Sequence, residues 1–414
     1  MTTSEAQTAF VWTWLPGATE PVVAGRLDAA GDVVVFTYGR SYLERDDAVA
    51  LYLPELPLRP GSIRPLGALD VAGCISDAGP DSWGQRVILA RHGHRGPTSD
   101  TAELGLLTYL LDSDSDRIGA LDFQTSASSY EPRGTATASL EELMSAAALV
   151  ESGEPPPAAL DVAMLRGTSV GGARPKALIE DGERRLIAKF SSTTDVYPVV
   201  KAEAVAMELA RRVGLDVAGS EVVTSLGRDV LLVERFDRTA IRGERRALVS
   251  ALTILGLTEM TARYASYADL ADVVRARFDN PVPTLHELFS RIVFNVCVGN
   301  IDDHARNHAA FWDGSTLSLT PAYDVCPQPR SGRTAQQAMA IGRDGSRESK
   351  LQVCRNAADI FMLSGRAADE IIDAQVEGIR SHWSDAADSA TLTAQERAYM
   401  WERQILNPFV FEDA

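Results

Sequence analysis

Cysteine is scarce and scattered in this 414-residue chain, at Cys74, Cys297, Cys326 and Cys354. No two of them stand in CxxC spacing, which argues against a zinc ribbon or a dense disulfide framework and for reduced thiols. Long hydrophobic runs are missing as well: none approaches the ~18 residues of a membrane span. The opening MTTSEAQTAF lacks the basic head and apolar middle of a secretory signal. The expectation is a cytoplasmic protein with no membrane partner. Positive charge is in short supply, since 40 Lys and Arg face 57 Asp and Glu, a formal net charge of −17. A DNA-binding face needs clustered cations to displace phosphate counterions, so any role on DNA would be indirect. Internal repeats and long low-complexity tracts are absent too.

What is present is the composition of an ordinary globular protein, 45% hydrophobic and 23% charged, in a chain long enough for two or three domains. Residues 161–250 hold 15 Lys and Arg against 13 Asp and Glu, or +2, so the remainder carries −19 and this segment suits an anionic ligand. Residues 1–125 alternate β-like runs such as DVVVFTYG with turns, then give a helical DSWGQRVILARH, and read as a small α+β domain. Residues 126–160 read as a connector with one short helix, LEELMSAAALV, and an exposed Pro cluster. Residues 161–240 give a hairpin around an Asp-Gly turn, a helix over about 198–213 and a second hairpin, so a small sheet with one helix is expected. Residues 241–414 read as helical, with periodic stretches at 284–298, 356–380 and 392–406.

The chemistry concentrates in VGNIDDHARNHAAFWDG, where Asn300, Asp302, Asp303, His304, Asn307 and His308 crowd together after an apolar helix. That helix, TLHELFSRIVFNVCVGN, is expected to start at Thr284 and Glu287 in capping-box spacing. It should bury Leu285, Leu288, Ile292 and Val296 and end near Gly299. Asp302 and Asn307 stand five positions apart, the Asp-x4-Asn interval of protein-kinase catalytic loops. Such spacing lets a carboxylate meet a substrate hydroxyl while an amide oxygen holds magnesium on phosphates. Asp324 of LTPAYDV, 17 positions after Asn307, is placed to give the second hard oxygen. Lys189 in the strand RRLIAKF would reach ATP phosphates, with Glu203 on the following helix as its ion-pair partner. Upstream, Gly171 and Gly172 with Arg174 and Lys176 form a glycine-and-cation stretch, GTSVGGARPK, which is not a Walker A sequence. Each feature alone also fits a turn or solvated charge; their order along the chain is the one that a two-lobed kinase requires.

Together SVGGARPK, AKF, VERFDR, GNIDDHARNH and LTPAYDV resemble the HipA toxin kinases of bacterial toxin-antitoxin systems, and the likeness extends to the amino-terminal GRLDAAGDVVVFTYGRSYL and LPLRPGS. The resemblance implies an α+β fold: a small β-rich amino-terminal domain, a kinase-like β-rich nucleotide-binding lobe and an all-helical catalytic lobe. It implies ATP and Mg2+ as cofactors, Asp302 as the catalytic aspartate, Asn307 and Asp324 as metal ligands, and Lys189 on the phosphates. Gly171, Gly172, Ala173, Arg174 and Lys176 would cover the phosphates. Glu234, Arg235 and Phe236 would line the adenine pocket mainly through main-chain groups, with His304 and Tyr323 at its edge. Autophosphorylation would fall on Ser169, with Thr168 beside it as the other acceptor. The implied partners are a HipB-like helix-turn-helix antitoxin, which would provide the only link to DNA, and a protein substrate, with an aminoacyl-tRNA synthetase as a candidate.

The chain departs from ordinary kinases in that its histidine follows the aspartate and no Asp-Phe-Gly surrounds Asp324. Two other readings stand beside the kinase. His304 and His308, four apart, would suit a metal hydrolase, although the Glu of HExxH is missing. A non-catalytic pseudokinase that binds an antitoxin is the other.

Overall fold

A computed structural model describes residues 6–92, 104–134, 138–152, 166–168, 174–192, 195–330, 332 and 334–413. The amino-terminal part is an antiparallel sheet of five strands in the order β4-β3-β2-β1-β5. These are β1 (Thr8–Thr13), β2 (Val22–Ala30), β3 (Val33–Tyr38), β4 (Ser62–Ile63) and β5 (Leu121–Gln124). Alternation of the side chains sends Ala9 and Val11 of β1, Leu27 of β2 and Phe36 of β3 into one core.

The next sheet has the order β6-β7-β9-β8, from β6 (Lys176–Asp181), β7 (Arg184–Phe190), β8 (Ser220–Ser225) and β9 (Arg228–Glu234). Both expected hairpins are present. Strand β9 reads VLLV and all four of those residues are buried, which signals a strand covered on both faces. Leu231 and Val233 join the core that holds helix α3 (Val199–Arg212), where Val205 and Leu209 are fully buried. Val230 and Leu232 join Leu186, Ala188 and Phe190 on the other side, packed under Trp83 and Val87 of helix α1 (Ser82–Arg91) and Leu143 and Ala147 of helix α2 (Leu140–Ser152). The expectation of one helix on this sheet is therefore corrected. Its second face needs a cover, and helices from before residue 160 provide it.

The carboxyl-terminal lobe gathers helix α4 (Tyr267–Arg277), helix α5 (Pro281–Val298) and helix α6 (Gly365–Ser389). It also holds a three-stranded sheet, β10 (Leu248–Ser250), β11 (Ala309–Trp312) and β12 (Leu317–Leu319), so the lobe is mainly rather than wholly helical. Helix α5 starts at Pro281, a residue pre-set for the first turn, and not at Thr284, whose hydroxyl instead donates back to the Asn280 carbonyl at 2.7 Å. Glu287, expected in a capping box, pairs with Arg291 at 2.8 Å. The stretch 356–380 is broken by a 3-10 turn at Ala358–Phe361, after which Ser364 caps α6 by accepting from the Ala367 N–H. The stretch 392–406 keeps only Ala394–Met400, opened by a capping box of Thr393 and Glu396.

Among the described residues no helix is long and apolar enough to cross a membrane. All four cysteines are buried free thiols. The whole is an α+β, two-lobed, kinase-like fold behind a β-rich amino-terminal unit.

Candidate active site

Helix α5 presents the polar loop. Its buried stripe contains Leu285, Leu288, Ile292 and Val296, and it stops at Gly299, whose φ of +72° is the left-handed C-cap that a side chain resists. A Cβ at Gly299 would also lie 2.7 Å from the Gln404 carbonyl oxygen. The loop that follows is locked from beneath by Asp303. One oxygen of this fully buried carboxylate meets the Asn295 amide and the His308 ring nitrogen at 2.8 Å each, together with the Tyr267 hydroxyl. Asn300 ties back to Asn295 at 3.0 Å. Burial opposes a charge on Asp303, but His308 and these hydrogen bonds outweigh it and hold the carboxyl below its ordinary range.

With Asp303 turned inward, its neighbour Asp302 is left exposed. Partial burial raises the Asp302 carboxyl above its ordinary value, aided by the charges of Asp324 and Asp303 and opposed by His304. Asn307 donates its amide to the Asp302 main-chain oxygen at 3.3 Å, which turns its side-chain oxygen into an available hard acceptor.

Lys189 stands opposite. Its ammonium lies 2.5 Å from Glu203 of α3 and 2.6 Å from Asp324, so three residues from β7, α3 and the segment after β12 converge on one point. Burial works against the Lys189 charge, yet the two carboxylates prevail and raise it far above the ordinary value for lysine. Lys189 holds Asp324 below the usual carboxylate range. The Asp324 side chain is 41% exposed against 7% for Glu203, so Asp324 is the carboxylate of the pair that solvent or a ligand can reach. Asp324 itself adopts a φ of +58°, a left-handed conformation uncommon outside glycine and frequent at functional positions. Ile187 shares the Lys189 face and is half-buried; Leu186, Ala188 and Phe190 fill the other face.

The remaining expected residues divide. Phe236 packs against Tyr323 with ring centroids 5.6 Å apart, and Tyr323 donates to the Arg306 carbonyl at 2.7 Å. His304 keeps a buried Nδ1 with no hydrogen-bond partner among the described residues. The linker behaves differently from expectation at two positions. The main-chain N–H of Glu234 donates to Gly219 at 2.7 Å and that of Arg235 to Arg185 at 2.9 Å, so neither offers a free main-chain donor. The Arg235 side chain points away to Asp116, at 3.0 Å, and Asp237, at 2.8 Å. Arg174 forms a two-pronged pair with Asp195, and Lys176 pairs with Asp81 at 2.7 Å. Gly171, Gly172, Ala173 and Ser169 lie outside the described residues. Thr168 is fully buried, its hydroxyl accepting from the Asp114 N–H at 3.3 Å.

The Asp303 network escaped sequence reasoning. Its one available signal was Asn295, a polar residue inside the apolar run VFNVCV, where an amide needs a buried partner. His308 gives Nε2 to Asp303, and its Nδ1, like that of His304, is buried with no hydrogen-bond partner among the described residues. Among the described residues no three His, Cys, Asp or Glu side chains are grouped to hold one.

Residues 168–383 match the family of the HipA-like C-terminal domain. The chain is 30% identical over 200 residues to the serine/threonine-protein kinase toxin HipA of Shewanella oneidensis, covering 42% of this chain and 46% of that protein. It is 25% identical over 243 residues to the putative kinase Y4mE of Sinorhizobium fredii, covering 53% and 58% respectively. The aligned part thus spans about half the length of these curated relatives. In three dimensions it resembles a chain of the Shewanella oneidensis complex of HipA, HipB and operator DNA, with a TM-score of 0.67, 21% identity and coverage of 95% and 96%, which establishes a shared fold. By the extent of the matched domain, more than half of its length, the chain belongs to the HipA-like C-terminal domain family.

Proposed function

We propose that this protein is an ATP- and magnesium-dependent serine/threonine kinase of the HipA toxin type. The observation that carries the reading is the Lys189 ammonium bridged between Glu203 and Asp324, across the cleft from the loop that exposes Asp302 and orients Asn307.

Asp302 is the group exposed to accept the proton of an acceptor hydroxyl, and its raised proton affinity suits a base better than an ordinary surface carboxylate would. Asn307 and Asp324 present two hard oxygens, fewer than octahedral magnesium needs, so the residues fit a cation shared with triphosphate oxygens. When bound, ATP and magnesium supply the phosphoryl group and neutralise its developing charge. Lys189 presents a fixed positive charge to the phosphates, held in place by Glu203. The unpartnered Nδ1 of His304 would meet a polar part of the nucleotide and the tilted Phe236–Tyr323 pair a planar part.

On the same reading Ser169 is the autophosphorylated residue, since Thr168 is buried. A HipB-like helix-turn-helix antitoxin is the partner, as in the relative's complex, with DNA reached only through it. An aminoacyl-tRNA synthetase remains the candidate substrate.

The test is incubation of the purified protein with γ-labelled ATP and magnesium beside Asp302→Asn, with mass-spectrometric mapping of modified serines. Label on the wild type and a drop of about 10³-fold in the variant, with nucleotide still bound, are expected. Equal labelling of both proteins would remove Asp302 from the chemistry, and no labelling of either would favour the pseudokinase reading.

A further inference from the structure

The amino-terminal unit lies mostly outside the matched domain, yet it touches the nucleotide cleft through one carboxylate. Lys176 opens β6 and is the register partner of Lys189 across the β6–β7 ladder, so the two lysines stand on one face of the sheet. The Lys176 side chain is only 2% exposed, and its ammonium lies 2.7 Å from Asp81 Oδ2. Asp81 is the N-cap of α1, and its other oxygen accepts from the Gly84 N–H at 2.7 Å. The same helix end grips the chain at two further points. The Trp83 indole donates to the Lys176 carbonyl at 3.2 Å. Gly84 approaches Thr168 so closely that a Cβ there would sit 1.9 Å from the Thr168 carbonyl oxygen. Thr168 and Lys176, both members of GTSVGGARPK, are thus each in contact with α1.

A buried ammonium beside another ammonium is an unstable arrangement. Burial lowers the Lys176 proton affinity, Lys189 lowers it further, and Asp81 is the largest opposing influence. Two adjacent cations on the cleft face make sense as a receptor for a polyanion, provided that something keeps the second one charged and still.

We propose that Asp81 is a positioning residue for nucleotide binding: through Lys176 it maintains a second cation beside Lys189 for the ATP phosphates. This rests on the kinase reading. Asp81 touches neither substrate nor metal, and its influence passes entirely through Lys176 and the start of β6. Loss of Asp81 strips the buried ammonium of its counter-charge, and loss of Lys176 removes the cation itself, so both should weaken ATP binding and leave the chemical step at Asp302 alone.

The experiment measures KM for ATP and kcat of label transfer in the full chain for wild type, Asp81→Asn, Lys176→Met and the double variant, with thermal melts of each. Asparagine keeps the helix cap, and methionine replaces a buried charge with an apolar chain of similar length. Each single variant should raise KM about ten-fold and leave kcat within about two-fold, with the double variant no worse than Lys176→Met alone. A purely structural role would instead lower the melting temperature with KM unchanged. Unchanged KM in Lys176→Met overturns the proposal even where Asp81→Asn does not fold, and additive effects in the double variant overturn it as well. If the wild type neither binds magnesium-ATP nor transfers label, the kinase reading itself fails; if it does both and the variants match it, only the role of Asp81 fails.

Discussion

At the scale of single residues, two adjacent aspartates have opposite fates. Asp302 and Asp303 are chemically identical, and an alternating backbone turns one outward to the cleft and the other into a cage of Asn295, His308 and Tyr267. Asp303→Ala would leave these three donors without their shared acceptor. It should lower kcat for phosphoryl transfer at least ten-fold, about the cost of one broken buried hydrogen bond, with the ATP KM little changed; steady-state kinetics decides this. On the proposed reading Asp302 carries the pH dependence. A base works only when deprotonated and its carboxyl is raised, so activity should be lost as pH falls through a midpoint above the ordinary ~3.9 of aspartate. The acid limb of kcat/KM measures that midpoint. Identity and spacing made Asp302 legible as a candidate in the sequence. The role of Asp303 was not, because its partners come from α4, α5 and the loop's far end.

At the scale of elements, the loop is aimed by the end of α5. Gly299 combines a positive φ with close approach to Gln404, from the distant carboxyl-terminal segment. Gly299→Ala should destabilise the lobe by roughly 1–3 kcal/mol, from backbone strain and contact together, and lower activity at temperatures where the protein stays folded. Denaturant unfolding alongside the labelling assay separates the two effects. The C-cap was readable from a glycine after an apolar run. The start of the same helix was misread because Thr284 and Glu287 mimic a capping box, whereas Pro281 had the stronger claim to the first turn. Strand β9 teaches the same lesson: VLLV announces two covered faces, but only packing reveals that α1 and α2 cover the second.

At the scale of the molecule, an ionic clasp joins the amino-terminal unit to the linker between lobes. Arg235 reaches Asp116 and Asp237, Arg238 reaches both carboxylates as well, and Asp237 also accepts from the Gly119 N–H at 2.8 Å. Burial alone would raise Asp237, but Arg235 and Arg238 outweigh it and hold it low. A depressed carboxyl contributes stability that is complete above the ordinary value of ~3.9 and is lost as pH falls toward the folded value. Asp237→Asn should therefore destabilise the protein at neutral pH by about 3–5 kcal/mol, because a buried arginine is left underpaired. The gap between variant and wild type should narrow below about pH 4, where the unfolded chain begins to bind the proton that the folded carboxylate still refuses. Denaturant unfolding at both pH values checks the sign. The resemblance puts Arg235 at the adenine pocket mainly through its main chain; its side chain serves this clasp, since a guanidinium that deep needs carboxylates within reach.

Local chemistry was within reach of the sequence alone. Glycine after an apolar run ends a helix, an Asp-Gly turn makes a hairpin, and an Asp-x4-Asn interval with a strand lysine points to the proposed phosphate site, because each depends on neighbours a few residues away. What the tertiary structure alone decided are pairings between distant segments: Lys189 with Asp324, Lys176 with Asp81, Arg235 with Asp116, and Asp303 with Tyr267. Charge and hydrogen-bond energies fall off within a few ångströms, so which partner neutralises a buried group is settled by where the chain folds and not by the residue types it contains.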